Sequence, residues 1–131
     1  MPPSPGAVHE LSRPVTVDVT ADAMGHRGVK VFATPFLIAL LEDTAGRVLE
    51  PYLPARATSV GTMIDVRHLA ATPVGMTVRA RATLLESDGK RFLFQVEAWD
   101  DKDKVAEGRH ERALVPDLVK FLDRVMKKGT A

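Results

Sequence analysis

One segment of the chain constrains the fold more than any other. Residues 35–49 are the one long stretch whose apolar residues recur at helical spacing, with Phe36, Leu37, Leu40, Leu41, Ala45, Val48 and Leu49 covering most of the surface. Thr34-Pro35 opens this helix, the threonine as N-cap and the proline at the first helical position, where its missing N–H costs nothing. Glu50-Pro51 stops it. A helix this apolar is expected to be buried on most sides, not docked by a single stripe.

What surrounds it alternates with period two. Residues 14–20 place Val15, Val17 and Val19 between polar neighbours and read as a strand. Residues 21–30, with Gly25 and Gly28, read as irregular. Residues 57–69 alternate, with Val60, Thr62, Ile64, Val66 and His68 on one face. After a turn at Thr72-Pro73-Val74-Gly75, residues 76–86 set Met76, Val78, Ala80, Ala82 and Leu84 against Arg79 and Arg81. Ser87-Asp88-Gly89 signals a hairpin into 91–99, where Phe92, Phe94, Val96 and Ala98 share a face. A turn at 100–104 leads to a last strand over 105–115, and Pro116-Asp117 caps a closing amphipathic helix over 118–128, with Gly129 past its end. Short hairpins make the sheet antiparallel. Its apolar face needs a cover, and 35–49 is the helix available. The expected fold is α+β: a five-stranded antiparallel sheet wrapped around a central helix (about 35–49), with a short C-terminal helix. This is the hot-dog arrangement.

The chain's 131 residues fit one domain, expected over 14–131, after a proline- and glycine-bearing tail at 1–13 that is expected to lack order. The net charge of +1, from 18 basic and 17 acidic residues, argues against nucleic acid or an anionic membrane as partner. No cysteine is present, which removes disulfides, thiolate nucleophiles and cysteine-bound metal. The longest apolar run, Phe36 to Leu41, is six residues, far below the ~20 of a spanning helix. With no signal-peptide pattern at Met1-Pro2-Pro3-Ser4-Pro5-Gly6, a cytoplasmic location is expected.

Glu42 is the most informative polar residue. Its helical neighbours are Ile38, Ala39, Ala45 and Gly46, so a carboxylate is aimed at a buried side, where it needs a partner or a cavity. It is either a structural group at a dimer seam or a catalytic or ligand-orienting one. His68, on a strand face turned to the helix, is structural on its own; with Glu42 in the same layer it resembles a general acid/base pair. Thr34 is explained as an N-cap, yet the nearby helix amides of Phe36 and Leu37 can also hold a thioester carbonyl oxygen. Gly61 in mid-strand marks a bulge, a close ligand approach or a twist. His110 and Arg112 face the same way, the arginine toward a carboxylate, a phosphate of coenzyme A or an ordinary salt bridge. The turn Asp100-Asp101-Lys102-Asp103 lacks the glycine and glutamate of a calcium loop, and no GxSxG, P-loop, GxGxxG or HExxH motif occurs.

Taken together, Val31-Phe32-Ala33-Thr34, Glu42, Val60-Gly61-Thr62, His68-Leu69-Ala70-Ala71-Thr72-Pro73 with Gly75, and Gly108-Arg109-His110-Glu111-Arg112-Ala113 resemble the hot-dog thioesterases of the fluoroacetyl-CoA thioesterase-like group. The resemblance spans roughly 31–128. It implies that Thr34, Glu42 and His68 form the catalytic constellation, and that Gly61 and Arg112 lie in and shape the site beside Phe36. It further implies hydrolysis of an acyl-CoA thioester without metal or cofactor, coenzyme A being part of the substrate. The implied assembly is a homodimer, or a tetramer made of two such dimers, with sites at the interface. The fluoroacetyl-specific member carries lid phenylalanines just before the Val-Phe-Ala-Thr motif, where this chain has Gly25 and Gly28. A short- or medium-chain acyl preference is therefore expected. The alternative is a non-catalytic acyl-CoA-binding or sensing module. A hydratase or dehydratase would need its histidine at the helix start, and His68 is on a strand.

Overall fold

The structure, a computed structural model, describes residues 2–130. Its centre is helix α1, Thr34–Leu49, laid across one five-stranded antiparallel sheet. The strands are β1 (Val8–Pro14), β2 (Thr58–His68), β3 (Thr77–Ser87), β4 (Arg91–Trp99) and β5 (Lys104–Val115), in the order β1-β3-β4-β5-β2. Helix α2, Leu118–Met126, closes the chain before a last 3₁₀ turn.

The core forms where the two periodicities meet. Leu37, Leu40, Leu41, Ala45, Val48 and Leu49 of α1 pack on Val78, Ala80, Ala82 and Leu84 of β3 and Phe92, Phe94, Val96 and Ala98 of β4, all buried. These are the faces expected from the alternation. The opposite side of α1 is open in the single chain. Ile38, Ala39, Glu42 and Gly46 are half-buried, and Pro35, Asp43 and Arg47 are exposed. The helix is thus covered on one side, not most sides.

Five further expectations are corrected. The first strand is Val8–Pro14, paired with β3 from Val8↔Thr83 to Pro14↔Thr77, so residues 8–13 belong to the sheet and not to a tail. Residues 14–20 are no strand: Val17–Val19 is a 3₁₀ turn, with Val15 and Val19 buried and Val17 exposed. Valines two apart satisfied a strand pattern, but they do not share a face. The N-cap of α1 is Ala33, in extended conformation, and no side chain caps the helix. Thr34 is its first residue, which frees the hydroxyl for another partner.

The fourth correction concerns β2. Its register against β5 shifts between Gly61 and Met63, with Gly61 opposite Arg112 and Ile64 opposite His110. Directly opposed residues share a face, so Gly61, Ile64, Val66 and His68 look toward α1. Val60 and Thr62 do not join them on that face. One extra residue in the strand, a β-bulge, moves the pattern across. The fifth concerns the closing helix, which as an amphipathic helix is expected to bury its apolar stripe. Asp117 caps it through Lys120 N–H at 3.2 Å, but none of its residues is buried, and Val119 and Met126 are about 70% exposed.

Candidate active site

Two groups of polar side chains lie where the open side of α1 meets β2 and β5. The first is at the start of the helix. Thr34 Oγ1 and His68 Nδ1 are 2.8 Å apart, joining the first turn of α1 to the last residue of β2. The other ring nitrogen, Nε2, is buried without a hydrogen-bond partner and is the one such side-chain atom among the described residues. Burial holds this ring below the usual imidazole range, an effect the Ala70 backbone opposes in part. His68 is therefore a neutral imidazole near pH 7, with one nitrogen set by Thr34 and one unspent.

The helix amides are placed differently from expectation. Both Phe36 N–H and Leu37 N–H donate to Ala33 O, at 3.1 and 3.0 Å, so neither is free for an oxyanion. The amide of Thr34 finds no acceptor among the described residues, and Pro35 has none to offer. The donors available at this end are the backbone and hydroxyl of Thr34. The Phe36 ring is half-buried, with the Arg13 guanidinium 5.7 Å from its centroid.

The second group surrounds Glu42, two turns along α1. Eight residues of helix place it about 12 Å from Thr34. Its Oε2 is 3.9 Å from Arg112 Nη1. The arginine is well buried, 12% exposed against 41% for the glutamate, and is held by Ser59: Nε donates to Ser59 Oγ at 2.8 Å and Nη2 to Ser59 O at 2.9 Å. Its third contact is His110 Nε2, 3.3 Å from Nη1. The buried His110 places Nδ1 2.8 Å from Met63 O, inside the bulge, and its ring stacks on Phe94. A carbonyl only accepts and a guanidinium only donates. The geometry therefore fixes His110 as neutral, with its proton on Nδ1. Burial, with the Arg112 charge, lowers its pKa against the opposing influence of the Met63 carbonyl and of Glu42 and Glu111.

Gly61 completes this group. A Cβ there would collide with Glu42 Oε2 and press on His110 Cε1 at 3.1 Å. The carboxylate approaches the strand so closely that any side chain at position 61 would push the flexible end of Glu42 out of its present place. Glu42 is shared by two openings. A cleft of about 810 Å³ is lined also by Gly46, Ser59 and Arg112, and a smaller one of about 250 Å³ by Gly61, Ile64 and His110.

Within one chain the structure thus joins Thr34 to His68, and Glu42 to Gly61 and Arg112, but does not join the two groups. Ser59, the Met63 carbonyl and the hold of His110 on Arg112 were not expected from sequence. The spacing of His110 and Arg112 was the one signal for them. Among the described residues no three His, Asp or Glu side chains are grouped to hold a metal ion, and no helix is long and apolar enough to cross a membrane.

Comparison with known proteins supplies the context. Residues 15–117 match the family model of the fluoroacetyl-CoA-specific thioesterase. The chain belongs to the fluoroacetyl-CoA-specific thioesterase family. Its similarity to the fluoroacetyl-CoA thioesterase of Streptantibioticus cattleyicolor is 42% identity over 102 residues, 78% of this chain and 73% of that protein. A solved fluoroacetyl-CoA thioesterase superposes with a TM-score of 0.88 at 34% identity, covering 95% of this chain and 96% of the other. A thioesterase superfamily member from Thermus thermophilus superposes with a TM-score of 0.86 at 27% identity, covering 97% and 95%. The hot-dog expectation is met, with the β1, β2 and α2 corrections given above.

Proposed function

We propose that this family member is an acyl-CoA thioesterase, with a site assembled from two copies of the chain. The observation that carries the proposal is the division just described. An imidazole with an unspent buried nitrogen is bonded to the first residue of α1, and a carboxylate with both oxygens free stands two turns along the same helix, about 12 Å away by helix rise. Neither group is complete for acyl transfer alone. β2 is the last strand of the sheet, its outer edge is unpaired, and Met63 and Ile64 on it are each 39% exposed. Pairing of β2 with a second β2 about a two-fold axis near Asp65 sets Ile64 beside the partner's Val66. It brings the partner's His68 across from the bulge at Gly61 and Thr62, hence next to Glu42. Such isologous two-fold contacts are the commonest protein assembly.

In that dimer a thioester carbonyl rests against the Thr34 amide and hydroxyl of one copy. Glu42 of the other copy either takes a proton from the attacking water or attacks the carbonyl itself to give an anhydride that water then opens. The carbonyl carbon gains an oxygen, the carbon–sulfur bond breaks, and the thiolate of coenzyme A leaves with a proton delivered through His68. The products are the free acid and coenzyme A. The same donors stabilise the tetrahedral oxyanion. A threonine-to-serine variant of the solved relative, with a TM-score of 0.89 at 34% identity, is in complex with acetyl-CoA. Gly25 and Gly28 have left-handed φ values of 102° and 83° and carry no side chain into the segment before the site. We infer a general short- or medium-chain acyl group in place of fluoroacetyl selectivity.

The test is free-thiol release from acyl-CoAs, acetyl to palmitoyl with fluoroacetyl included. Glu42→Ala and His68→Ala chains are each expected to be inactive. Refolded together, they recover about a quarter of wild-type activity, because half the dimers are mixed and each mixed dimer has one intact site. No recovery would place the whole site in one chain. Coenzyme A binding without turnover by the wild type would favour the sensing module.

A further inference from the structure

We infer that His110 is a positioning residue whose neutral imidazole holds Arg112 back from Glu42, so that the carboxylate keeps both oxygens free for the reaction. The inference rests on the thioesterase reading above and concerns the one buried histidine that this mechanism leaves unused. An arginine able to reach a carboxylate normally closes on it, often through two hydrogen bonds at about 2.7–2.9 Å. Arg112 and Glu42 are neighbours, yet they stand 3.9 Å apart. The reason is visible in the other contacts of the guanidinium. Ser59 takes Nε and Nη2 on one edge, and His110 Nε2 takes Nη1, the nitrogen nearest to Glu42.

His110 can act as this tether because it is itself fixed. Its Nδ1–H donates to Met63 O and its ring lies on Phe94, so Nε2 presents a lone pair in one direction only. The bulge in β2 supplies the carbonyl that sets the tautomer. Without the tether, Nη1 is expected to close on Glu42 Oε2. A closed ion pair would occupy the oxygens that must meet water or the thioester carbonyl, while leaving the positive charge in place. Ground-state binding would hardly change, but turnover would fall. Gly46, whose added Cβ would sit 3.7 Å from the guanidinium carbon, leaves the cation in ordinary contact with the helix and does not block that movement.

Three substitutions separate the functions of the ring. His110→Gln keeps an acceptor where Nε2 stands and loses the Met63 donor. His110→Asn keeps the donor to Met63 and loses the acceptor. His110→Phe loses both and keeps the ring. With acetyl-CoA, kcat is expected to fall at least about tenfold in the Asn and Phe forms with KM within about threefold, a transition-state loss. The Gln form is expected to recover most of the loss. Equal kcat in all three, or losses that follow melting temperature alone, would overturn the assignment. A crystal structure of His110→Asn gives a reading independent of turnover. The Arg112–Glu42 separation is expected to shorten to hydrogen-bond length, and a distance unchanged near 3.9 Å would overturn the inference even if the wild type hydrolysed no acyl-CoA.

Discussion

The two halves of the site are built on opposite principles. Around Glu42 the side chains restrain one another. Ser59 and His110 fix Arg112, the bulge fixes His110, and Gly61 leaves no spare room for the carboxylate. Around Thr34 there is little restraint. One hydrogen bond joins Thr34 to His68, one ring nitrogen is unspent, and the helix end has no side-chain cap. A charged group near a strand needs many contacts, because a misdirected arginine would neutralise it. A neutral imidazole needs few, and its empty valence is what a substrate or water can use. Disturbing the first half should therefore alter structure and turnover together, and disturbing the second should alter turnover almost alone.

The largest effect tests the role of the carboxylate. Glu42→Gln is expected to lower kcat by roughly 10²–10⁴-fold, the range of a lost acid/base group, with a shifted melting temperature beside it, read from thermal unfolding followed by circular dichroism. Gly61→Ala comes next. Its Cβ displaces Glu42 Oε2, and a misplacement of about 1 Å is expected to reduce kcat/KM on the order of 100-fold, with a lowered melting temperature. A Gly61→Ala enzyme of normal activity would show that the close approach at the strand does not matter. Thr34→Ala probes the slack half. Turnover is expected to drop about tenfold or more, within the range for removing one oxyanion donor or its orienting group. Stability to urea should change by less than about 0.5 kcal/mol, because Thr34 is not the cap. A loss near the ~1 kcal/mol of a true N-cap would contradict that view.

The smallest effect is in the pH dependence. His68 and His110 both have pKa values lowered from about 6.5, chiefly by burial. Their neutral forms persist in the folded chain at pH values where the unfolded chain has begun to bind protons. Stability is then expected to fall as pH drops below about 6.5 and to level off once the folded rings also protonate. The acid limb of kcat/KM, if set by neutral His68, belongs below 6.5 as well. Urea midpoints and initial rates measured from pH 7.5 to 5 check both, and a limb above 6.5 would exclude a neutral His68 as the group observed.

Much of this molecule was legible from its residues. Helix α1 and strands β3 and β4 were clear because each buries one complete face, so apolar period and geometry coincide. β1 was hidden because an edge strand held by backbone pairing needs few apolar residues, and His9, Leu11 and Arg13 on its inner side do not announce a core. The candidate site residues were individually visible as polar groups in apolar settings. The two helical turns between Thr34 and Glu42 follow from the spacing alone, but the pairing of Thr34 with His68 and of Glu42 with Gly61 and Arg112 depends on how β2 lies against α1. Ser59 and the Met63 carbonyl depend on the register against β5, which the bulge sets and no side-chain pattern records.

That bulge has a consequence for how the chain can vary. Gly61 and His68 are separated by seven positions, an odd number. On an uninterrupted strand an odd separation puts two residues on opposite sides of the sheet. Here they share a side because Thr62 is supernumerary. The Thr62 hydroxyl donates to Glu111, but for the parity of the strand it is the presence of a residue at position 62 that counts. Deleting it would preserve every proposed site residue and still turn Gly61 away from the layer that His68 occupies. What the site requires of this stretch is parity: a count of residues as much as a choice of them.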